Sequence, residues 1–140
     1  MVDQAEALKT KMELVHIPGT SLKVSPVAIG TWAIGGWMWG GTDEAESIAT
    51  IRAAFDRGIN IVDTAPVYGF GRSEEIVGKA IAGRRDRVII STKATFRAGQ
   101  GPNDVGSSRH HLLRACEGSL RRLGTDYIDL FQLHGFDAQT

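Results

Sequence analysis

The 140-residue chain is 42% hydrophobic and 23% charged, the balance of a soluble globular domain rather than of a disordered segment. Its sixteen basic and sixteen acidic residues cancel to a formal net charge of zero. That balance excludes a broad basic field for nucleic acid or an anionic membrane and leaves a small molecule as the expected partner.

Residues 1–12 mix charges without an apolar period and read as a flexible tail, with one domain over 13–140. No signal-peptide core interrupts residues 1–25 and no run approaches membrane-spanning length, so a cytoplasmic location is expected. From Glu13 to Ser25, two alternating stretches flank Pro18-Gly19-Thr20-Ser21, which predicts a β-hairpin turning at Gly19 with positive φ. A strand follows at 27–31, then a Gly/Trp-rich loop and a helix with Thr42 as its expected N-cap. Ile48, Ile51 and Phe55 mark the buried stripe of that helix, and Gly58 ends it.

The second strand is expected near 59–63. It leads to a helix capped by Ser73, with Ile76, Val77, Ala80 and Ile81 inward and Gly83 at the stop. The third strand spans roughly 87–93. After a Gly/Asn/Pro/Ser-rich loop at 99–108, a third helix carries Leu112, Cys116, Leu120 and Leu123 on one face and stops at Gly124. The lone Cys116 cannot form an internal disulfide and reads as packing on that helix. The fourth strand runs about 127–134, where Asp129 is expected to pair with a helix arginine such as Arg122.

Val/Ile-rich strands alternating with helices mean βαβ units and a parallel sheet, because a parallel crossover needs a long connection. All strand ends then point to one face, where such folds place their chemistry. Asp63, Lys93 and His134 close three consecutive strands, and Tyr68 follows Asp63 by five residues. By period two, Ile61, Ser91 and Gln132 share the face of these polar groups. Taken singly, each is readable as an ion-pair member, a core histidine or a loop anchor. Together, an acid, an amine, a phenol and an imidazole at one rim read as a catalytic set.

At this point the chain resembles the N-terminal half of an aldo-keto reductase. The resemblance rests on Gly30-Thr31-Trp32, on the segment from Gly58 through Asp63-Thr64-Ala65-Pro66-Val67-Tyr68-Gly69, on Gly71-Arg72-Ser73-Glu74 and Ser91-Thr92-Lys93, and on the run from Ser119 to His134. It implies an α/β fold that is the N-terminal half of a (β/α)8 TIM barrel: about four parallel strands alternating with three helices, preceded by the hairpin. It also implies a reductase moving a hydride from NADPH to an aldehyde or ketone. Carried over by position, Tyr68 is the proton donor, Lys93 and Asp63 its electrostatic partners, and His134 the group that orients the carbonyl. Thr31, Trp32 and Asp63 match positions near the nicotinamide.

The chemistry is consistent with these residue types. Hydride addition leaves an alkoxide that needs a proton from a group within hydrogen-bond reach, and a phenol that ionises near pH 10 in water needs a cation beside it. Trp37, Met38 and Trp39 in the first strand-to-helix loop are expected to wall the substrate pocket, since such pockets are mostly aromatic and apolar. Tyr68 and His134 are expected to touch the substrate as well.

Gly69-Phe70-Gly71 is not a dinucleotide fingerprint, because its third glycine would fall at Glu74. Adjacent His110 and His111 cannot both face one metal from a regular helix, so no metal is expected. A full barrel takes about 250 residues and commonly holds phosphate through loops after strands seven and eight. The chain therefore reads as a truncated reductase without the main cofactor phosphate site. Two other readings stand beside it: a half-barrel module that self-associates through open sheet edges, and a redox-sensing subunit that binds NADPH with little turnover.

Overall fold

In the computed structural model, which describes residues 12–140, the Pro18-Gly19 turn joins two short antiparallel strands, β1 (Val15–His16) and β2 (Lys23–Val24). Gly19 takes φ 77°, and the Thr20 amide donates to the Ile17 carbonyl at 3.1 Å, so the turn closes as a Pro-Gly pair favours. The tail expected over 1–12 lies outside the described residues except for Met12.

Four parallel strands follow in the order β3 (Ile29–Gly30), β4 (Ile61–Asp63), β5 (Ile89–Ala94) and β6 (Leu130–Leu133). Three helices connect them: α1 (Glu44–Asp56), α2 (Arg72–Ile81) and α3 (Arg109–Leu123). One face of the sheet meets the helices. There Val62 and Ile90 pack with Ile51, Ile76, Val77, Ala80 and Leu123 in a continuous apolar cluster. The opposite face carries the polar residues, as the alternation requires: Ser91 Oγ donates to Asp63 Oδ1 at 3.1 Å and to Gln132 Oε1 at 3.3 Å. Ile51 and the α2 stripe of Ile76, Val77, Ala80 and Ile81 are buried as expected, with Ile48 and Phe55 half-buried beside them.

Several local expectations are corrected. Helix α1 is capped by Asp43, whose Oδ1 accepts from the Glu46 amide at 2.8 Å; Thr42 lies one residue early and bonds the Ser47 hydroxyl instead. Helix α2 begins after Gly71 at φ 97°, where a Cβ would come within 2.6 Å of Arg122 Cδ, and Ser73 is buried rather than capping. On α3 the buried residues are His111, Ala115, Gly118, Ser119 and Leu123, whereas Leu112, Cys116 and Leu120 are half-buried. The reason is close packing: a Cβ at Gly78 of α2 would meet the Leu123 carbonyl at 2.7 Å, and so near an approach selects small residues on the facing arc.

Asp129 does not pair with Arg122. It accepts from Arg85 at 2.7 Å and from the Ile90 amide at 2.8 Å, at the start of β6. Helical side chains lean toward their own N-terminus, so Arg122 reaches along α3 to Glu74, its Nε 2.6 Å from Oε2.

Candidate active site

Lys93 leaves the C-terminal part of β5 on the polar face, opposite Gln132 in the register, with its side chain 11% exposed. Its Nζ lies 2.7 Å from Asp63 Oδ2 and 2.8 Å from the Thr64 carbonyl, which fix it in place. The third neighbour is Tyr68 Oη at 3.4 Å. A cation held by a carboxylate and a carbonyl on one side and facing a phenol on the other is placed to stabilise charge that develops on that phenol oxygen during proton transfer.

Tyr68 sits in the loop between β4 and α2, and the loop is pinned by backbone contact. A Cβ at Gly35 would fall 2.7 Å from Gly69 N, and one at Gly69, itself at φ 60°, would overlap the Gly35 carbonyl. Two glycines thus let the Trp-bearing loop lie directly against the Tyr68 backbone. His134 follows β6, its amide donating to the Ala94 carbonyl at 2.8 Å, and its ring meets Tyr68 edge-on at 5.7 Å between centroids. Phe96 stacks on His134 at 4.5 Å between centroids. Burial, then the nearby Lys93 ammonium, hold the His134 pKa below the ordinary histidine value, with Asp63 opposing in part. The ring is therefore neutral near pH 7 and can present one N–H donor.

Trp32, Trp37, Val67, Tyr68, Phe96 and His134 enclose a cavity of about 330 Å³. Phe96 escaped the sequence reading, although it follows Lys93 by three residues in a strand-to-helix loop, the same signal that pointed to the tryptophans. Trp39 does not line this cavity; it packs edge-on against Trp32 at 5.5 Å, a supporting position. Met38 stays exposed. Thr31 is fully buried, and its hydroxyl donates to the Asp63 carbonyl at 3.0 Å while receiving from Ser73 Oγ at 2.7 Å. Ser73 also bonds Thr64 Oγ1 at 3.0 Å. This buried hydroxyl cluster joins the ends of β3 and β4 to α2 beneath the site.

The donor set fits the nicotinamide end of a dinucleotide. Trp32 offers a half-exposed aromatic face beside Tyr68, with ring centroids 6.3 Å apart, and Asp63, Ser91 and Gln132 form a polar wall on the sheet face. None of the cavity-lining residues is cationic, and the adjacent Lys93 is committed to Asp63, so these residues do not make a pyrophosphate clamp.

Residues 26–140 match the sequence profile described as the Aldo/keto reductase family. The aldo-keto reductase YhdN of Bacillus subtilis is 54% identical over 125 residues, covering 88% of this chain and 38% of that protein. A probable voltage-gated potassium channel subunit beta of Oryza sativa subsp. japonica is 41% identical over 132 residues, covering 92% of this chain and 39% of its own length. The solved glycerol dehydrogenase AKR11B4 of Gluconobacter oxydans superposes with a TM-score of 0.76 at 47% identity, over 91% of this chain and 41% of that one. The chain thus spans about two fifths of the length of the relatives it matches. Its four parallel strands and three helices are the first half of a (β/α)8 TIM barrel.

Proposed function

The chain belongs to the aldo/keto reductase family, and on that premise we propose that it carries the proton-transfer half of an NADPH-dependent reduction of aldehydes or ketones to alcohols. The observation that carries the reading is the single ammonium of Lys93 bridging the Asp63 carboxylate and the Tyr68 phenol. When bound, a reduced nicotinamide supplies the hydride; Trp32 and Asp63 are the residues here that would hold it.

The chain's own residues do the rest. Neutral His134 donates to the carbonyl oxygen and orients it toward Tyr68. Tyr68 Oη gives its proton to that oxygen as negative charge develops, and the O–H bond of the alcohol forms as that of the phenol breaks. Lys93 stabilises the phenolate left behind, and Asp63 holds Lys93 in position. The aromatic lining suits a carbonyl compound with an apolar body, placed against Trp37 and Phe96. Preference for NADPH over NADH, and work in the reducing cytoplasm, complete the reading.

The test is Tyr68→Phe. NADPH oxidation in the presence of an aldehyde is expected to fall at least 10²-fold, the usual scale for losing a general acid, while nicotinamide fluorescence reports binding near that of the parent. Turnover at the parental rate would overturn the assignment. A second reading, a cofactor-binding subunit with slow turnover, draws on the likeness to the potassium channel subunit; saturable NADPH binding with no reduction of any carbonyl would favour it.

A further inference from the structure

The Asp63 carboxylate is held at both oxygens. Oδ2 lies 2.7 Å from Lys93 Nζ, and Oδ1 accepts from Ser91 Oγ at 3.1 Å. Ser91 stands directly opposite Asp63 in the register of β4 and β5, and it is 3% exposed. A buried hydroxyl beside a charged acceptor restrains the direction of that acceptor, because hydrogen bonds to ionised groups are stronger than neutral ones.

Ser91 has a second neighbour, the terminal amide of Gln132 at 3.3 Å. A hydroxyl carries one proton, so it does not donate in full to both Asp63 and Gln132. The carboxylate is the nearer acceptor and the charged one, and it takes the proton. The Gln132 amide then serves Ser91 as a donor, which its NH₂ end supplies after a half-turn about the last side-chain bond. Gln132 is exposed on β6 and free to make that turn, and it lies opposite Lys93 in the register of β5 and β6. The order of contacts follows: Gln132 donates to Ser91, Ser91 to Asp63, and Lys93 to Asp63, with the ammonium facing Tyr68 Oη at 3.4 Å.

We propose that Ser91 and Gln132 are positioning residues for proton transfer, acting through Asp63 to hold the Lys93 ammonium against Tyr68; the inference rests on the reductase reading of this site. A carboxylate bonded at one oxygen can rotate about its last bond and, with the Asp63 side chain 33% exposed, exchange its partner for water. Bonded at both oxygens, it keeps Oδ2 aimed at Lys93. The Thr64 carbonyl also accepts from Lys93 at 2.8 Å, but as a neutral acceptor it is the weaker restraint. A looser Lys93 costs turnover rather than substrate binding, since charge on the phenol oxygen develops only as the proton leaves.

Ser91→Ala, Gln132→Met and the two combined test this chain of contacts. At saturating NADPH, Ser91→Ala is expected to lower kcat for an aldehyde about tenfold, the scale of one hydrogen bond to a charged group, with KM for the aldehyde unchanged. Gln132→Met lowers kcat less, and the double variant is no slower than Ser91→Ala, because Gln132 acts only through the Ser91 hydroxyl. NMR relaxation of the Lys93 ¹³Cε methylene, assigned through bonds, is expected to show a more mobile side chain in Ser91→Ala, a readout that needs no turnover. Parental kcat in Ser91→Ala would overturn the proposal, as would an unmoved Lys93 signal, a loss of NADPH affinity with kcat retained, or losses that simply add. Tyr68→Phe assayed beside them tests the reading underneath: parental turnover there removes the reductase assignment, and the catalytic role of Ser91 with it, even where Ser91→Ala loosens Lys93.

Discussion

Lys93 shows how one side chain organises the rim. With Asp63 at 2.7 Å and the Thr64 carbonyl at 2.8 Å, two of its three N–H donors are used and the third faces Tyr68. His134 is the complementary case, a base that the structure keeps uncharged through burial and the adjacent ammonium. Its pKa is lower in the folded chain than in the unfolded one. The stability linked to it is therefore complete above the ordinary histidine value of about 6.5 and drains away as pH falls through the lowered value. Urea unfolding between about pH 7.5 and about pH 5 is expected to show stability declining toward acid, with a shallower decline in His134→Gln. Equal slopes in the two proteins would show that another group governs the acid limb.

At the scale of elements, buried polar contacts tie α2 to its neighbours. Ser73 Oγ bonds the Thr31 carbonyl at 2.9 Å, the Thr31 hydroxyl at 2.7 Å and the Thr64 hydroxyl at 3.0 Å, all out of contact with solvent. Ser73→Ala leaves those partners unsatisfied and is expected to cost about 1–3 kcal/mol by chemical denaturation. Glu74 is more severe. It is 0% exposed, accepts from Thr92 at 2.7 Å and pairs with Arg122, so it fastens α2 to both β5 and α3. Glu74→Ala strands the Arg122 guanidinium in a partly buried place and is expected to lose about 3–5 kcal/mol. A double-mutant cycle with Arg122→Met measures the coupling; additivity of the two losses would mean that the pair is not the cause.

At the scale of the whole molecule, the sheet has two edge strands among the described residues, β3 and β6. In β6, Leu133 is 62% exposed and Phe131 is exposed as well, and just past the strand Phe136 is 94% exposed. Apolar surface of this kind next to an unpaired edge favours association. Light scattering on the 140-residue chain is expected to give a mass above that of a monomer, falling when Leu133→Lys and Phe131→Thr are combined. A monodisperse monomer before any substitution would exclude self-association through this edge.

Local pattern was enough for the alternation of strands and helices, the hairpin turn at Gly19, the helix stop at Gly124, the inward stripes of α1 and α2, and the placement of Asp63, Lys93 and His134 at strand ends. Each of these follows from local chemistry or from a short period: glycine at positive φ, apolar residues at helical spacing, alternation along a strand. Tertiary structure alone decided the partners. Arg122 turns to Glu74 and Asp129 to Arg85, Ser73 joins Thr31 and Thr64 instead of capping, Phe96 closes over His134, and His111 replaces Cys116 on the buried arc of α3. Those outcomes depend on how closely α2 approaches α3 and on where long side chains can reach. They are properties of distances between segments far apart in the chain, which no local pattern encodes.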